Sequence, residues 1–124
     1  MNDRQEPANV TICSSSRFYK TVAAVASQLR ERGFVVFTPR LDMNETEVNE
    51  DRTRKHALTT DFLSKVSVSE SIYIVNPGGY VGLSVAIETG FAYARGISIF
   101  AMELPSEPAI EALISGVRAP SELR

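Results

Sequence analysis

The sequence predicts an α/β fold: a parallel sheet of four to five strands with helices covering both faces. Two observations predict it. Short, almost wholly apolar runs rich in β-branched residues recur along the chain. Between them lie stretches with apolar residues at helical spacing, several of which end at a glycine.

The first run, residues 10–13 (VTIC), reads as a buried strand that closes into Ser14-Ser15-Ser16. Residues 18–32 follow as a helix, with Val22, Val25, Ala26 and Leu29 on one face and Gly33 at its stop. Residues 34–37 (FVVF) form the second strand, ended by Thr38-Pro39. Segment 40–56 is charged and poor in apolar residues. Its first part reads as an exposed loop, and its second part starts a helix running through Leu58, Phe62, Leu63 and Val66. Residues 71–75 (SIYIV) are the third strand, broken by Asn76-Pro77-Gly78-Gly79. A helix over 83–95 stops at Gly96, and residues 97–101 (ISIFA) are the fourth strand. A last helix is expected over 107–115, entered through Pro108 and followed by Gly116. The order is β-α-β-α-β-α-β-α. Right-handed crossovers then leave few topologies.

A chain of 124 residues fits one domain, expected over 10–116, with a flexible polar N-terminus at 1–9 and a loose tail at 117–124. Hydrophobic residues make up 44% of the chain, enough for a core. A net charge of -2 argues against binding to nucleic acid. The one cysteine, Cys13, allows no internal disulfide, and with the lone His56 it makes no zinc site. No metal or cofactor is expected. The N-terminal stretch lacks an apolar signal region, and no apolar run is long enough to span a bilayer. The expectation is a soluble cytoplasmic protein with no membrane partner.

In open parallel sheets, ligands bind beyond the carboxyl ends of the strands. Segments 14–17, 38–40, 76–84 and 102–103 converge there. The richest is Asn76-Pro77-Gly78-Gly79-Tyr80-Val81-Gly82-Leu83-Ser84. Pro77 ends the strand's pairing, Gly79 and its neighbour allow unusual backbone angles, and Gly82 permits close approach to a ligand. Ser84 is expected to cap the next helix, whose free N–H groups suit an anion or a hydroxyl-rich ligand. The G-x-G-x-x-G dinucleotide spacing and the G-x-x-x-x-G-K-[ST] phosphate loop are both absent.

Glu88 lies four residues beyond Ser84, among Val85, Ala86, Ile87, Phe91 and Ala92. A carboxylate on a helix that is apolar on nearly every side is desolvated unless it opens onto a pocket. Such a fixed, partly desolvated carboxylate suits nucleophilic attack on a sugar carbon. The alternative is a Glu paired with Arg95 or a capping N–H. Asp61, on the preceding helix, is the second candidate carboxyl, because cleaving a glycosidic bond commonly uses two. Alone it would read as a solvated surface residue.

Ser14, Ser16 and Arg17 combine hydroxyls, a helix start and a guanidinium, a set that fits a phosphate or simply a capped helix. Tyr19 and Tyr80 are candidate pocket walls. Cys13 reads as a core residue at a strand end with no base partner, and His56 as a surface residue.

The segments CSSSRF, TTDFLSKV and YIVNPGGYVGLSVAIETGFAYARG together resemble the nucleoside 2-deoxyribosyltransferase-like family, which includes a branch of 2'-deoxynucleoside 5'-monophosphate N-glycosidases. The resemblance runs from about Val10 to Ser115 and is most specific over Gly82 to Ala92. It implies a flavodoxin-like, Rossmann-like three-layer sandwich and cleavage of an N-glycosidic bond, by hydrolysis or by transfer. It places the family's nucleophile at Glu88 and its helix Asp at Asp61. Its first-loop substrate contacts fall at Ser14, Ser16 and Arg17, Ser84 matches a small polar position near the sugar or phosphate, and Tyr19 is a looser match; the loop reading adds Asn76, Gly79, Tyr80 and Gly82 as candidate substrate-binding residues. The chain departs from phosphate-clamping relatives at Ser14, where they commonly carry glycine. A small nucleoside or nucleotide as partner molecule and a homodimer or larger homo-oligomer are implied as well. Two other readings stay open: a module that senses a nucleotide or nucleotide-sugar without turnover, and a structural subunit of a larger assembly.

Overall fold

The structure, a computed structural model, describes residues 8–41 and 50–124. Among these, β1 (Asn9–Cys13), α1 (Tyr19–Glu31), β2 (Val35–Phe37), α2 (Arg52–Ser67), β3 (Ser71–Ile74), α3 (Leu83–Ala94), β4 (Ser98–Ala101), α4 (Pro108–Glu111) and β5 (Gly116–Val117) follow in order. The expected flexible N-terminus lies outside the described residues up to position 7, as do residues 42–49 of the charged segment.

The strands form one five-stranded sheet in the order β2-β1-β3-β4-β5. Every pairing is parallel. Thr11 of β1 sits opposite Phe37 on one side and Ile72 on the other. The chain therefore leaves β1 toward one edge and leaves β3 toward the other. That reversal opens a crevice between the loops that follow these two adjacent strands.

Strand alternation sorts the core into two faces. Val10 and Ile12 of β1, Tyr73 of β3 and Val75 just beyond it pack with Val22, Val25, Ala26 and Leu29 of α1. Cys13, Ile72, Ile74, Ile99 and Ala101 pack on the other face, with Val66 of α2, Val85 and Ala92 of α3, and Ile110 of α4. The result is the expected three-layer arrangement. Among the described residues, no helix is long and apolar enough to cross a membrane.

The C-terminal region differs from expectation. The helix expected over 107–115 is a single turn, α4. Beyond it the backbone N–H of Ser115 bonds to the Ile99 carbonyl, and the Ser115 hydroxyl accepts from the Ile99 N–H. The chain must leave the helix to reach these partners, and it then adds β5 to the sheet edge. The tail expected to be loose is held as well. Leu123 is fully buried on the α1 face, and Arg32 donates to the carbonyls of Pro120 (2.6 Å) and Leu123 (2.7 Å). A single apolar residue supplies the anchor, too little to register as an apolar run.

Candidate active site

The crevice is walled by the loops after β1 and β3. In the first, the Ser14 hydroxyl donates to the Val75 carbonyl at 2.7 Å and ties the two strand ends together. Ser15 accepts from the Arg17 N–H and starts a short 3-10 turn over Ser16–Phe18. The Arg17 guanidinium lies 3.9 Å from the centroid of the Tyr80 ring. Phe18 meets the same ring edge-on at 6.0 Å. These contacts join the two loops across the mouth of the crevice. Tyr19 turns away and packs on the α1 face, on the far side of the sheet from Glu88.

The second loop is braced from behind. Asn76 is fully buried, and its amide donates to the Glu103 carbonyl at 2.9 Å and accepts from the Glu103 N–H at 3.0 Å. This two-point clamp locks the end of β3 to the end of β4. Gly79 has φ of 84°, and a Cβ there would stand 2.6 Å from the Leu104 carbonyl oxygen. Only glycine fits both the angle and the space. Asn76 and Gly79 thus shape the wall through backbone contacts. At Gly82 a Cβ would make only ordinary contact, 3.4 Å from the Tyr80 hydroxyl, so the space there does not require glycine.

Ser84 is not the cap expected of it. Gly82 is the N-cap of α3, no side chain caps the helix, and Ser84 stands exposed inside the first turn. The early N–H groups of α3 therefore have no side-chain cap beside the crevice.

Glu88 is half-buried on α3. Val85 and Ala92, one turn to either side, are buried in the same cluster as Cys13. Burial pushes the Glu88 carboxyl from its ordinary 4.5 up to about 7; the nearby Cys13 side chain and the charge of Lys55 hold it from rising further. Cys13 is fully buried, and burial together with the Glu88 charge pushes its thiol well above the ordinary 9.0. The sulfur therefore keeps its proton. Cys13 is the core residue at a strand end that the sequence predicts, and the charge of Glu88 acts on it.

Lys55 comes from α2, where it is half-buried. Together with Arg52, Thr53, His56 and Thr59 it lines an open basin of about 580 Å³. Lys55, Thr59, Phe62 and Val66 recur at helical spacing and point α2 inward. Asp61 is one residue off that face and is exposed, as is His56. Sequence reasoning missed both Cys13 and Lys55 as neighbours of Glu88. The signals were there: Cys13 closes a strand at the ligand-binding end of the sheet, and Lys55 continues the Phe62–Val66 stripe backward.

No protein-family model and no curated protein matches the chain. Solved structures do. A 2-deoxyribosyltransferase from the psychrotolerant bacterium Bacillus psychrosaccharolyticus superposes with a TM-score of 0.65 at 17% identity, over 92% of this chain and 88% of that one. The CMP N-glycosidase BcmB of Clostridium botulinum gives 0.52 at 14% identity, over 87% and 84%. The fold is that of the nucleoside 2-deoxyribosyltransferase-like proteins. A conserved protein from Enterococcus faecalis V583 also matches, at 0.57 and 20% identity, over 77% of this chain and 62% of that one. In this deoxyribosyltransferase-like frame, Glu88 lies on the helix that leaves the β3 side of the crevice.

Proposed function

We propose that the protein cleaves the N-glycosidic bond of a (deoxy)ribonucleoside or its 5'-monophosphate, with Glu88 as the nucleophile. One observation carries this reading: a half-buried carboxylate beside the crevice, on a helix turn whose neighbours Val85 and Ala92 are buried against Cys13 at the end of β1. The names of the deoxyribosyltransferase and the CMP N-glycosidase that share the fold support it.

In this mechanism a Glu88 oxygen attacks C1' of the sugar. The bond from C1' to the base nitrogen breaks, and the base leaves with the electron pair and takes up a proton. Asp61, directly or through water, is the proposed source of that proton. Water then attacks C1' and releases the sugar from Glu88, or a second base does so in transfer. Arg17, Ser14, Ser16, Ser84 and the uncapped start of α3 are the proposed contacts for a 5'-phosphate or the sugar hydroxyls. Tyr80, held by Arg17 and Phe18, is the proposed wall for the base. Asn76 and Gly79 shape this wall through the backbone, and Gly82 is a proposed point of close approach for the substrate.

The test is release of free base from a panel of deoxynucleosides and nucleoside monophosphates, CMP included, followed by chromatography. Release that disappears in Glu88→Ala supports the reading. No release from any substrate, or release untouched by Glu88→Ala, overturns it. The exposure of Asp61 favours a second reading, nucleotide sensing without turnover. That reading expects saturable binding by calorimetry with no base released. A homodimer is also proposed, supported by the exposed Leu83 and Ile87 on the helix that carries Glu88. Sedimentation equilibrium tests it.

A further inference from the structure

The first two turns of α2 carry a face that the proposed reaction does not use. Arg52, Lys55, His56 and Thr59 follow helical spacing and share one side of the helix. Phe62 and Val66 continue that side and pack in the core with Val85 and Ala92 of α3. An inward stripe is normally apolar along its length. Here its front half holds two cations and the lone histidine of the chain instead. These residues, with Thr53, line the open basin of about 580 Å³. α2 links the end of β2 to the start of β3, so its first turns stand at the carboxyl end of the sheet, the end that holds the crevice.

Every one of these lining residues is basic or carries a hydroxyl; none is acidic or apolar. The Thr59 hydroxyl is engaged with the Lys55 carbonyl at 2.8 Å, which leaves Arg52, Thr53, Lys55 and His56 as donors. Among the described residues, the Arg52 and His56 side chains have no hydrogen-bond or ion-pair partner. Asp51 caps the helix by accepting from the Arg54 N–H at 3.0 Å. The pull on an anion therefore rests on the side chains of the basin, not on a bare helix end. It arises in a chain whose net charge is -2.

We propose that this basin is a phosphate-binding site, separate from Ser14, Ser16 and Arg17 in the loop after β1. The Arg52 guanidinium offers a fork to two phosphate oxygens, and the Lys55 ammonium a compact charge. Thr53 and a ring N–H of His56 supply further donors. The basin lies in the size range of small-molecule sites, so the rest of a phosphate ester has room. The site goes beyond the reaction at Glu88 and stands whether or not that carboxylate attacks. Its phosphate has two sources: the ester of a nucleotide that extends into the crevice, or free inorganic phosphate. The packing of α2 on α3, which carries Glu88, favours the nucleotide. The charge of Lys55 acting on Glu88 agrees with that.

His56 is the only histidine of the chain, so its ring NMR signals report on the basin unambiguously. The titrants are sodium phosphate, CMP and cytidine at fixed pH, with chloride balancing the ionic strength. A saturable shift with CMP or phosphate, and none with cytidine, is expected. Arg52→Gln and Lys55→Met should each weaken that binding roughly tenfold or more, as for loss of a charged hydrogen bond. Arg52 is exposed, so its replacement leaves the core intact. CMP binding about tenfold tighter than phosphate identifies the nucleotide ester as the source; equal affinity identifies free phosphate. No saturable shift with either phosphate compound, an equal shift with cytidine, or binding that survives both variants overturns the proposal. Binding lost in Arg17→Gln but kept in Arg52→Gln puts the phosphate at the loop after β1 and overturns it too. The titration needs no turnover, so a failure to release base sinks the reading of Glu88 and leaves this one standing.

Discussion

Cys13 and Glu88, 75 positions apart in sequence, come together where β1 ends beneath α3: Cys13 packs in one cluster with Val85 and Ala92, which stand on either side of Glu88. The pair joins two adjacent parts of the fold through the only cysteine in the chain. Burial makes Glu88 a poor anion, and the thiol and Lys55 offset part of that effect. The carboxyl consequently changes its charge close to neutrality.

Activity should therefore rise with pH through about 7, where Glu88 becomes ionised. A profile of kcat/KM between pH 5 and 9 measures this limb. A carboxylate nucleophile ionised at its ordinary value would give a flat profile above about pH 5.5.

The same shift affects stability. The folded carboxyl titrates at about 7 and the unfolded one near 4.5, so the folded state holds its proton more tightly. The contribution is fully present below pH 4.5 and is lost as pH rises through 7. It amounts to about 3 kcal/mol, at about 1.4 kcal/mol for each tenfold change in proton affinity. Glu88→Gln should leave stability nearly unchanged at pH 4 and raise it by up to about 3 kcal/mol at pH 8. Urea unfolding of both proteins at the two pH values checks this.

Lys55→Met removes the cation that acts on Glu88 among the described residues and keeps the length of the stem. The acid limb of the rate profile should then shift upward, and kcat/KM at pH 7 should fall more than at pH 9. Added salt should reproduce part of this effect in the wild type, since Lys55 is half-buried and open to screening.

Leu123→Ala should destabilise the protein by about 2–5 kcal/mol, as for a fully buried leucine. A tail lying free on the surface would tolerate the change within about 0.5 kcal/mol. Thermal or urea unfolding separates the two.

The central strands and main helices were legible because their signal is local. Runs such as 71–75 are apolar throughout, and α1 repeats its apolar residues at helical spacing. β5 was not legible, because Gly116–Val117 carries no run and forms a strand only by pairing with Phe100 and Ala101. Leu123 escaped notice because its burial depends on α1, far back in the chain. Glu88 stood out by its apolar neighbours. Cys13 did not, because its meaning depends on a contact between β1 and α3 that no local pattern encodes. Asp61 illustrates the reverse case. Motif matching drew attention to it, while helical phase, read from Phe62 and Val66, sets it beside the inward stripe.

Arg17 stacked on Tyr80 has a practical consequence. The chain has no tryptophan and four tyrosines, so its intrinsic emission is tyrosine emission alone. Tyr80 is 38% exposed and carries a cation against its ring face. An anionic ligand that draws the guanidinium away alters the surroundings of that one fluorophore. Tyr80 is thus an optical probe for the proposed site, one that tests for binding without dye, radiolabel or turnover.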